Sequence, residues 1–156
     1  YFIKTKNTKH KSQSKASNKE MSGIAKTIEF INKCGVFFIA TVDENEQARV
    51  RPFSLIFEKD GKIYIGMGDH KDVYKQVVAH PRIELSSFDS AAGKWIRVTG
   101  KAVRDPSPEA VAKAFEIIPD LHNIYNEKSG LKMAMFYLDE LHSVISSFTN
   151  KPDILI

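Results

Sequence analysis

The sequence predicts a mainly β protein of α+β type, with six or seven antiparallel strands curled into a closed barrel and two or three helices at its periphery. Three observations carry this. Segments rich in β-branched and aromatic residues follow one another at Val36–Val42, Ala48–Phe57, Lys62–Met67, Arg82–Phe88 and Lys94–Arg104, and the character returns in Lys132–Phe148. The turn signals Asp43-Glu44-Asn45 and Lys59-Asp60-Gly61 are short enough to make hairpins between antiparallel neighbours. Helical spacing appears only before and between these runs, and closing the sheet removes edges that would otherwise stay unpaired.

Taken in order, residues 1–20 are rich in Lys, Ser, Asn and Thr without a helical or strand period, and read as a flexible basic leader. A domain over 21–150 and a tail over 151–156 follow. Ile24, Ile28 and Ile31 mark one face of a short helix, and Gly35 stands where a left-handed helix end is wanted. Asp69 is expected to cap a helix over Asp72–Ala79, with Val73, Val77 and Val78 inward and Pro81 as the stop. Ser107-Pro108 opens another over Glu109–Ile118, with Ser107 at the cap. Lys132–Phe148 is expected as strand in two pieces, bent near Asp139-Glu140.

Composition narrows the function classes. The longest apolar run, Gly35–Val42, is strand-length and far short of the ~20 residues a membrane helix needs. Cys34 is the single cysteine, so no internal disulfide can form, and the first twenty residues lack a secretory apolar stretch. A cytoplasmic setting is expected. The net charge of +4 suggests nucleic acid until it is divided along the chain: residues 1–20 hold six lysines against Glu20, and the other 136 hold 17 Lys and Arg against 18 Asp and Glu. The folded part is close to neutral, and neither a nucleic-acid nor a membrane partner is expected.

No GxSxG, HExxH, Walker loop, GxGxxG or CxxC occurs, and His10, His70, His80, His122 and His142 lack metal-ligand spacing. No catalytic side chain or metal ligand is assigned, so the reactive centre of an enzyme here would be a bound cofactor. A phosphate-shaped pattern remains. On a strand, Arg49, Arg51 and Phe53 share one face and Val50, Pro52 and Ser54 the other, and Pro52 puts the stretch at an edge, bulge or cleft. Solvated arginines on a barrel exterior would leave the same pattern. Gly66-Met67-Gly68 ahead of a helix with Lys71 would let a flat ligand approach the backbone and offer donors to an anion, although tight turns use the same residues. With Arg51, Lys71 could form a clamp on one phosphate monoester. Trp95, the only tryptophan, could wall an aromatic ligand, meet a partner subunit or simply fill the core.

The order of these pieces resembles the pyridoxamine 5′-phosphate oxidase-like FMN-binding split-barrel family. The likeness runs from about Val36 to Phe148. It rests on Phe38-Ile39-Ala40-Thr41-Val42-Asp43, Arg49-Val50-Arg51-Pro52-Phe53, Gly61-Lys62-Ile63-Tyr64-Ile65 with Lys71 and Val73-Tyr74-Lys75-Gln76, His80-Pro81-Arg82-Ile83-Glu84-Leu85, and Trp95-Ile96-Arg97-Val98-Thr99-Gly100-Lys101-Ala102. The resemblance implies a six-stranded split barrel that dimerises, with FMN in clefts at the subunit interface. It implies contacts to phosphate and flavin from Arg49, Arg51, Pro52, Phe53 and Ser54, ring and ribityl contacts along Gly66, Met67 and Gly68, phosphate binding by Lys71, a neighbouring Tyr74, and Trp95 reaching the flavin from the other subunit.

Two departures are visible. The family's oxidases end in a segment rich in Arg, His and Trp that grips the substrate, and residues 150–156 read Asn-Lys-Pro-Asp-Ile-Leu-Ile, so efficient oxidation of pyridoxamine phosphate is not expected. Gly66-Met67-Gly68 stands where many relatives carry Thr or Ser, which leaves those hydrogen bonds to main-chain amides. The expected activity is a homodimeric FMN-dependent oxidoreductase, similar to the general-stress and nitroimidazole-reductase branches, acting on a small-molecule substrate or electron acceptor. The alternatives are a flavin or haem binding or sensor module, and a relative using the deazaflavin F420, which the neutral folded part disfavours.

Overall fold

The computed structural model describes residues 21–156; the expected basic leader lies outside the described residues. Helix α1 (Gly23–Cys34) starts at Ser22, whose hydroxyl accepts from the Ala25 amide, and ends at Gly35 with φ 78°, the left-handed stop read from the sequence. Strands β1 (Phe37–Val42) and β2 (Ala48–Phe53) form the first hairpin, and β3 (Ile56–Lys59) and β4 (Lys62–Gly68) the second. The tip of the second has positive φ at Asp60 and Gly61, 52° and 71°, as a right-twisted two-residue hairpin demands. Helix α2 (Asp72–Ala79) leads to β5 (Arg82–Asp89) and β6 (Lys94–Asp105), α3 (Pro108–Ile117) and a single 3₁₀ turn (Pro119–Asn123) follow, and β7 (Met133–Ser147) and β8 (Asp153–Ile154) close the chain.

The strands form one sheet in the order β2-β1-β5-β6-β7-β4-β3, with every pair antiparallel and β8 paired to β7. The expected closure is therefore corrected. The two ends of the path, β2 and β3, are joined by Ser54 and Leu55 but share no ladder, which leaves a split. The expected strand Ala48–Phe57 breaks at that link. β7 is one strand and not two pieces, and the expected bend near Asp139-Glu140 is a bulge: Thr99 pairs with His142 and Lys101 with Asp139, so Gly100 faces two residues, of which Glu140 has φ 49°. Residues 151–156 do not stand apart as a tail. β8 pairs with Val144 and Ile145, and Leu155 packs against the core.

Two cores explain the burial. Inside the sheet, Phe37, Ile39, Ile63, Ile65, Leu85, Ile96, Val98 and Phe136 meet Ile31 of α1 and Val73 and Val77 of α2. On the other face of β3, β4 and β7, Ala110 and Ala114 of α3 let that helix approach Leu55, Phe57, Tyr64 and Met135 closely. β4 is covered on both faces, which is why its six residues from Ile63 to Gly68 are all buried. No helix among the described residues is long and apolar enough to cross a membrane.

Candidate functional site

Period two along β2 assigns its side chains. Phe53, Arg51 and Arg49 lie opposite Phe37, Ile39 and Thr41 of β1 on the inward face, while Val50 and Pro52 face outward. Pro52 is tolerated because β2 is an end strand. Phe53 packs into the core with its ring 5.9 Å from that of Phe37. Arg51 and Arg49 come later on the same face, at the open end where the β1–β2 turn and α2 flank a cavity of about 840 Å³.

The charges lining this cavity are unequally satisfied. The Arg49 Nε donates to Asp43 Oδ2 at 2.7 Å, and Lys75 reaches Asp72 at 3.4 Å. Among the described residues Arg51 has only neutral partners: Nη1 donates to Thr41 Oγ1 at 2.6 Å and to the Ile39 and Arg49 carbonyls at 3.3 and 3.4 Å, and Nη2 donates to Gln76 Oε1 at 2.7 Å. Burial and then the like charge of Arg49 pull the Arg51 guanidinium below its ordinary pKa. The Arg49 hydrogen bond holds the Asp43 carboxyl below the usual carboxylate value, helped by the amides of Gln47 and Asn45 and opposed by burial.

The other expected site residues lie elsewhere. Lys71 is the exposed N-cap of α2 and does not line the cavity, where Lys75 and Gln76 of the same helix do. Asp69 is not the cap: the Lys71 amide donates to the Gly68 carbonyl, so Asp69 sits inside a tight turn ahead of the helix. Gly66, Met67 and Gly68 belong to β4, paired with Met135, Ala134 and Met133, and not to a strand-to-helix turn. A Cβ on Gly66 would fall 2.9 Å from Leu55 Cδ2 and from Met135 Sδ, and one on Gly68 would fall 2.5 Å from the His70 ring and 2.9 Å from the Tyr125 hydroxyl. Both glycines are thus filled against by the chain's own side chains. Tyr74 is half-buried, edge-on to Phe136 at 5.9 Å. Ser54 is exposed in the link across the split, and β4 runs three residues past its last pairing with β3, at Ile65. Trp95 is half-buried, faces outward beside Phe148 at 5.2 Å, and stands opposite Phe88.

Sequence reasoning missed Thr41 and Gln76. The available signal was position: Thr41 takes the inward register after Phe37 and Ile39, and Gln76 adjoins the inward Val77. A polar side chain at an inward position wants a partner. Among the described residues no group of three or more His, Cys, Asp or Glu could hold a metal ion.

Residues 25–136 match the family model described as pyridoxamine 5′-phosphate oxidase. The chain belongs to the pyridoxamine 5′-phosphate oxidase-like family. The split sheet is that family's barrel. Among solved structures, a NimC/NimA family protein from Clostridium acetobutylicum is 36% identical, with a TM-score of 0.77 over 85% of this chain and 91% of its own. A pyridoxamine 5′-phosphate oxidase-related, FMN-binding protein from Nostoc punctiforme is 14% identical, with a TM-score of 0.64 over 83% and 84%. A haem-binding protein from Mycobacterium smegmatis is also 14% identical, with a TM-score of 0.65 over 86% of this chain and 58% of its own. The last two share the fold. No curated protein sequence matches the chain.

Proposed function

We propose that this family member is an FMN-dependent oxidoreductase, a reductase acting as a homodimer on a small flat electron acceptor. The observation that carries it is Arg51. A half-buried guanidinium whose partners among the described residues are all neutral, on the wall of a cavity of about 840 Å³, is a cation open to an anion. Ligand cavities run to about 300–1,000 Å³. The donor set fits a phosphate monoester: Arg51 supplies planar, permanently charged donors that match phosphate oxygens, while Arg49 beside it offsets the Asp43 carboxylate. Lys71 at the start of α2 would add a point charge. Ser54 and the β4 edge beyond Ile65, which no strand among the described residues pairs with on the β3 side, would offer main-chain groups to the ring. When bound, the flavin supplies hydride and electron transfer at its N5, which accounts for a site without an evident acid or base.

A second copy is supported by the outer sheet face. Phe38, Val50, Phe88 and Phe148 are 48%, 64%, 54% and 80% exposed. Pro52 and Trp95 share that face with the first three. Ser86 and the Arg97–Glu84 ion pair interrupt that face, and several large apolar side chains exposed on one sheet face are a mark of an interface. Trp95 from the second copy would then wall the ring.

The test is a visible spectrum of the purified full chain, before and after incubation with FMN, with its mass in solution. A flavin spectrum on a dimer that oxidises a reduced nicotinamide cofactor when given a quinone or nitroaromatic acceptor is expected. A colourless protein that takes up no FMN overturns the proposal. A haem spectrum instead would favour a binding module, the reading that the fold shared with the haem-binding neighbour supports.

A further inference from the structure

Arg51, Thr41 and Gln76 form a closed triangle. Arg51 donates through Nη1 to Thr41 Oγ1 at 2.6 Å and through Nη2 to Gln76 Oε1 at 2.7 Å, and the Thr41 hydroxyl donates to the same Oε1 at 2.6 Å. The two acceptors therefore touch each other, so together they close on the Nη1–Nη2 end of the guanidinium. The main-chain oxygens of Ile39 and Arg49 take what remains of Nη1, at 3.3 and 3.4 Å. What is left is the side edge of the fork: Nε–H and the outer Nη2–H have no partner among the described residues. That edge carries two parallel N–H groups with the spacing of two oxygens of one phosphate or carboxylate.

Chemistry fixes the orientation of the amide. Turning the Gln76 side chain over would set its NH2 against the Arg51 Nη2–H, which can only donate, so Oε1 must face Arg51 and accepts from Thr41 as well. Its Nε2, also without a partner among the described residues, becomes a further donor. Thr41 is 3% exposed, so its hydroxyl has little access to competing water. A carboxylate in the position of Gln76 would also hold the guanidinium, but it would cancel the charge that an incoming anion must find. A neutral acceptor pair orients the cation and leaves it a cation.

We infer that Thr41 and Gln76 are positioning residues: they lock Arg51 with its free edge turned to a phosphate monoester, and so make the site discriminate FMN from riboflavin. This rests on the flavin reading above and names what selects the phosphate within it. Neither residue need touch the ring, and their removal acts on the phosphate through Arg51. Freed of its acceptors, Arg51 samples other rotamers, and part of the fork must be ordered again on binding.

The experiment titrates the full chain and its Gln76→Ala, Gln76→Glu, Thr41→Val and Thr41→Ser variants with FMN and with riboflavin, following flavin fluorescence, with thermal melting of each variant alongside. The wild type is expected to prefer FMN. Gln76→Ala and Thr41→Val lose about tenfold in FMN affinity, the scale of one charge-assisted hydrogen bond, with riboflavin changed less than about twofold. Gln76→Glu loses more for FMN, since its carboxylate neutralises Arg51, and Thr41→Ser keeps the wild-type ratio. Gln76 is half-exposed on α2, so Gln76→Ala opens no core and decides the matter even where Thr41→Val melts early. An unchanged FMN-to-riboflavin ratio in Gln76→Ala overturns the inference. A wild type that binds both flavins equally also overturns it while leaving the flavin reading intact, and one that binds neither sinks that reading and this inference with it.

Discussion

β2 and β4 read as the two halves of one clamp in the sequence, and in the structure they are built to opposite rules. On β2, two arginines point inward at the open end of the barrel, where one is neutralised by Asp43 and the other is held by Thr41 and Gln76. On β4, the glycines lie in a dry, doubly covered strand against Leu55, Met133, Met135, His70 and Tyr125. An inward position near a strand end leaves a charge partly solvated with room for a ligand. A position on the opposite face, turned to the second core beneath α3, leaves only space for a neighbour's side chain. Glycine on a strand signals close approach, and the approaching group here is the chain itself.

The largest effect expected from this difference is in binding. Arg51→Ala should lower FMN affinity roughly 100-fold, by loss of a bidentate charge-assisted contact, while Lys71→Ala changes it less than about threefold because an exposed lysine is a weakly placed point charge. Equal losses in the two variants, measured by flavin titration, would restore the symmetric clamp and remove the contrast between the strands.

The next effect is on stability and belongs to β4. Gly66→Ala places a methyl 2.9 Å from Leu55 and Met135 and 3.2 Å from Met133, all packed in the second core. Overpacking of this kind costs about 1–3 kcal/mol. A melting temperature lower by several degrees is expected, with FMN affinity of the folded protein kept near wild type. A folded Gly66→Ala protein that has lost FMN would mean that the ligand and not Leu55 occupies that space. Gly68→Ala should cost less, since its nearest neighbour is the exposed His70 ring, which can swing away; His70→Ala in the same chain should recover part of the loss in melting temperature, the rest belonging to the Tyr125 hydroxyl 2.9 Å away.

These two strands also mark how far the sequence could be read. The succession of strands along the chain, the two hairpins and the left-handed end at Gly35 were legible because turn residues and period-two runs act locally. The split entered only with the family resemblance and not with the local pattern, because it depends on whether β2 and β3 meet across the whole sheet, and a two-residue link at Ser54-Leu55 looks like continuous strand. The pairing of β8 with β7 escaped notice for the same reason: Asp153–Ile154 is too short to show a period. Of the site, Arg49 and Arg51 were legible as like charges on one strand face. Gln76 was not, since only packing of α2 across the end of β1 brings its amide to a residue 25 positions earlier.

The smallest effect separates Arg49 from Arg51 by pH. The Asp43 carboxyl lies below its ordinary value because Arg49 donates to it, with the Gln47 and Asn45 amides adding to this against the opposing effect of burial. A carboxyl with a depressed folded-state pKa favours the folded state above the unfolded value, about 3.9 for Asp, and that contribution is lost as pH falls through the folded value. Asp43→Asn should therefore melt lower than wild type at neutral pH, and the gap should narrow as pH drops below about 4, where the wild type has lost the same pairing. Asp89, held low by Lys33 at the far end of the barrel, remains in both proteins and cancels in the difference. Arg51 has no carboxylate partner to titrate among the described residues, so Gln76→Ala should melt below wild type by an amount that does not change over the same range. A gap for Asp43→Asn that stays constant with pH would mean that Arg49 is as free as Arg51, and the cavity would then hold two unpaired cations.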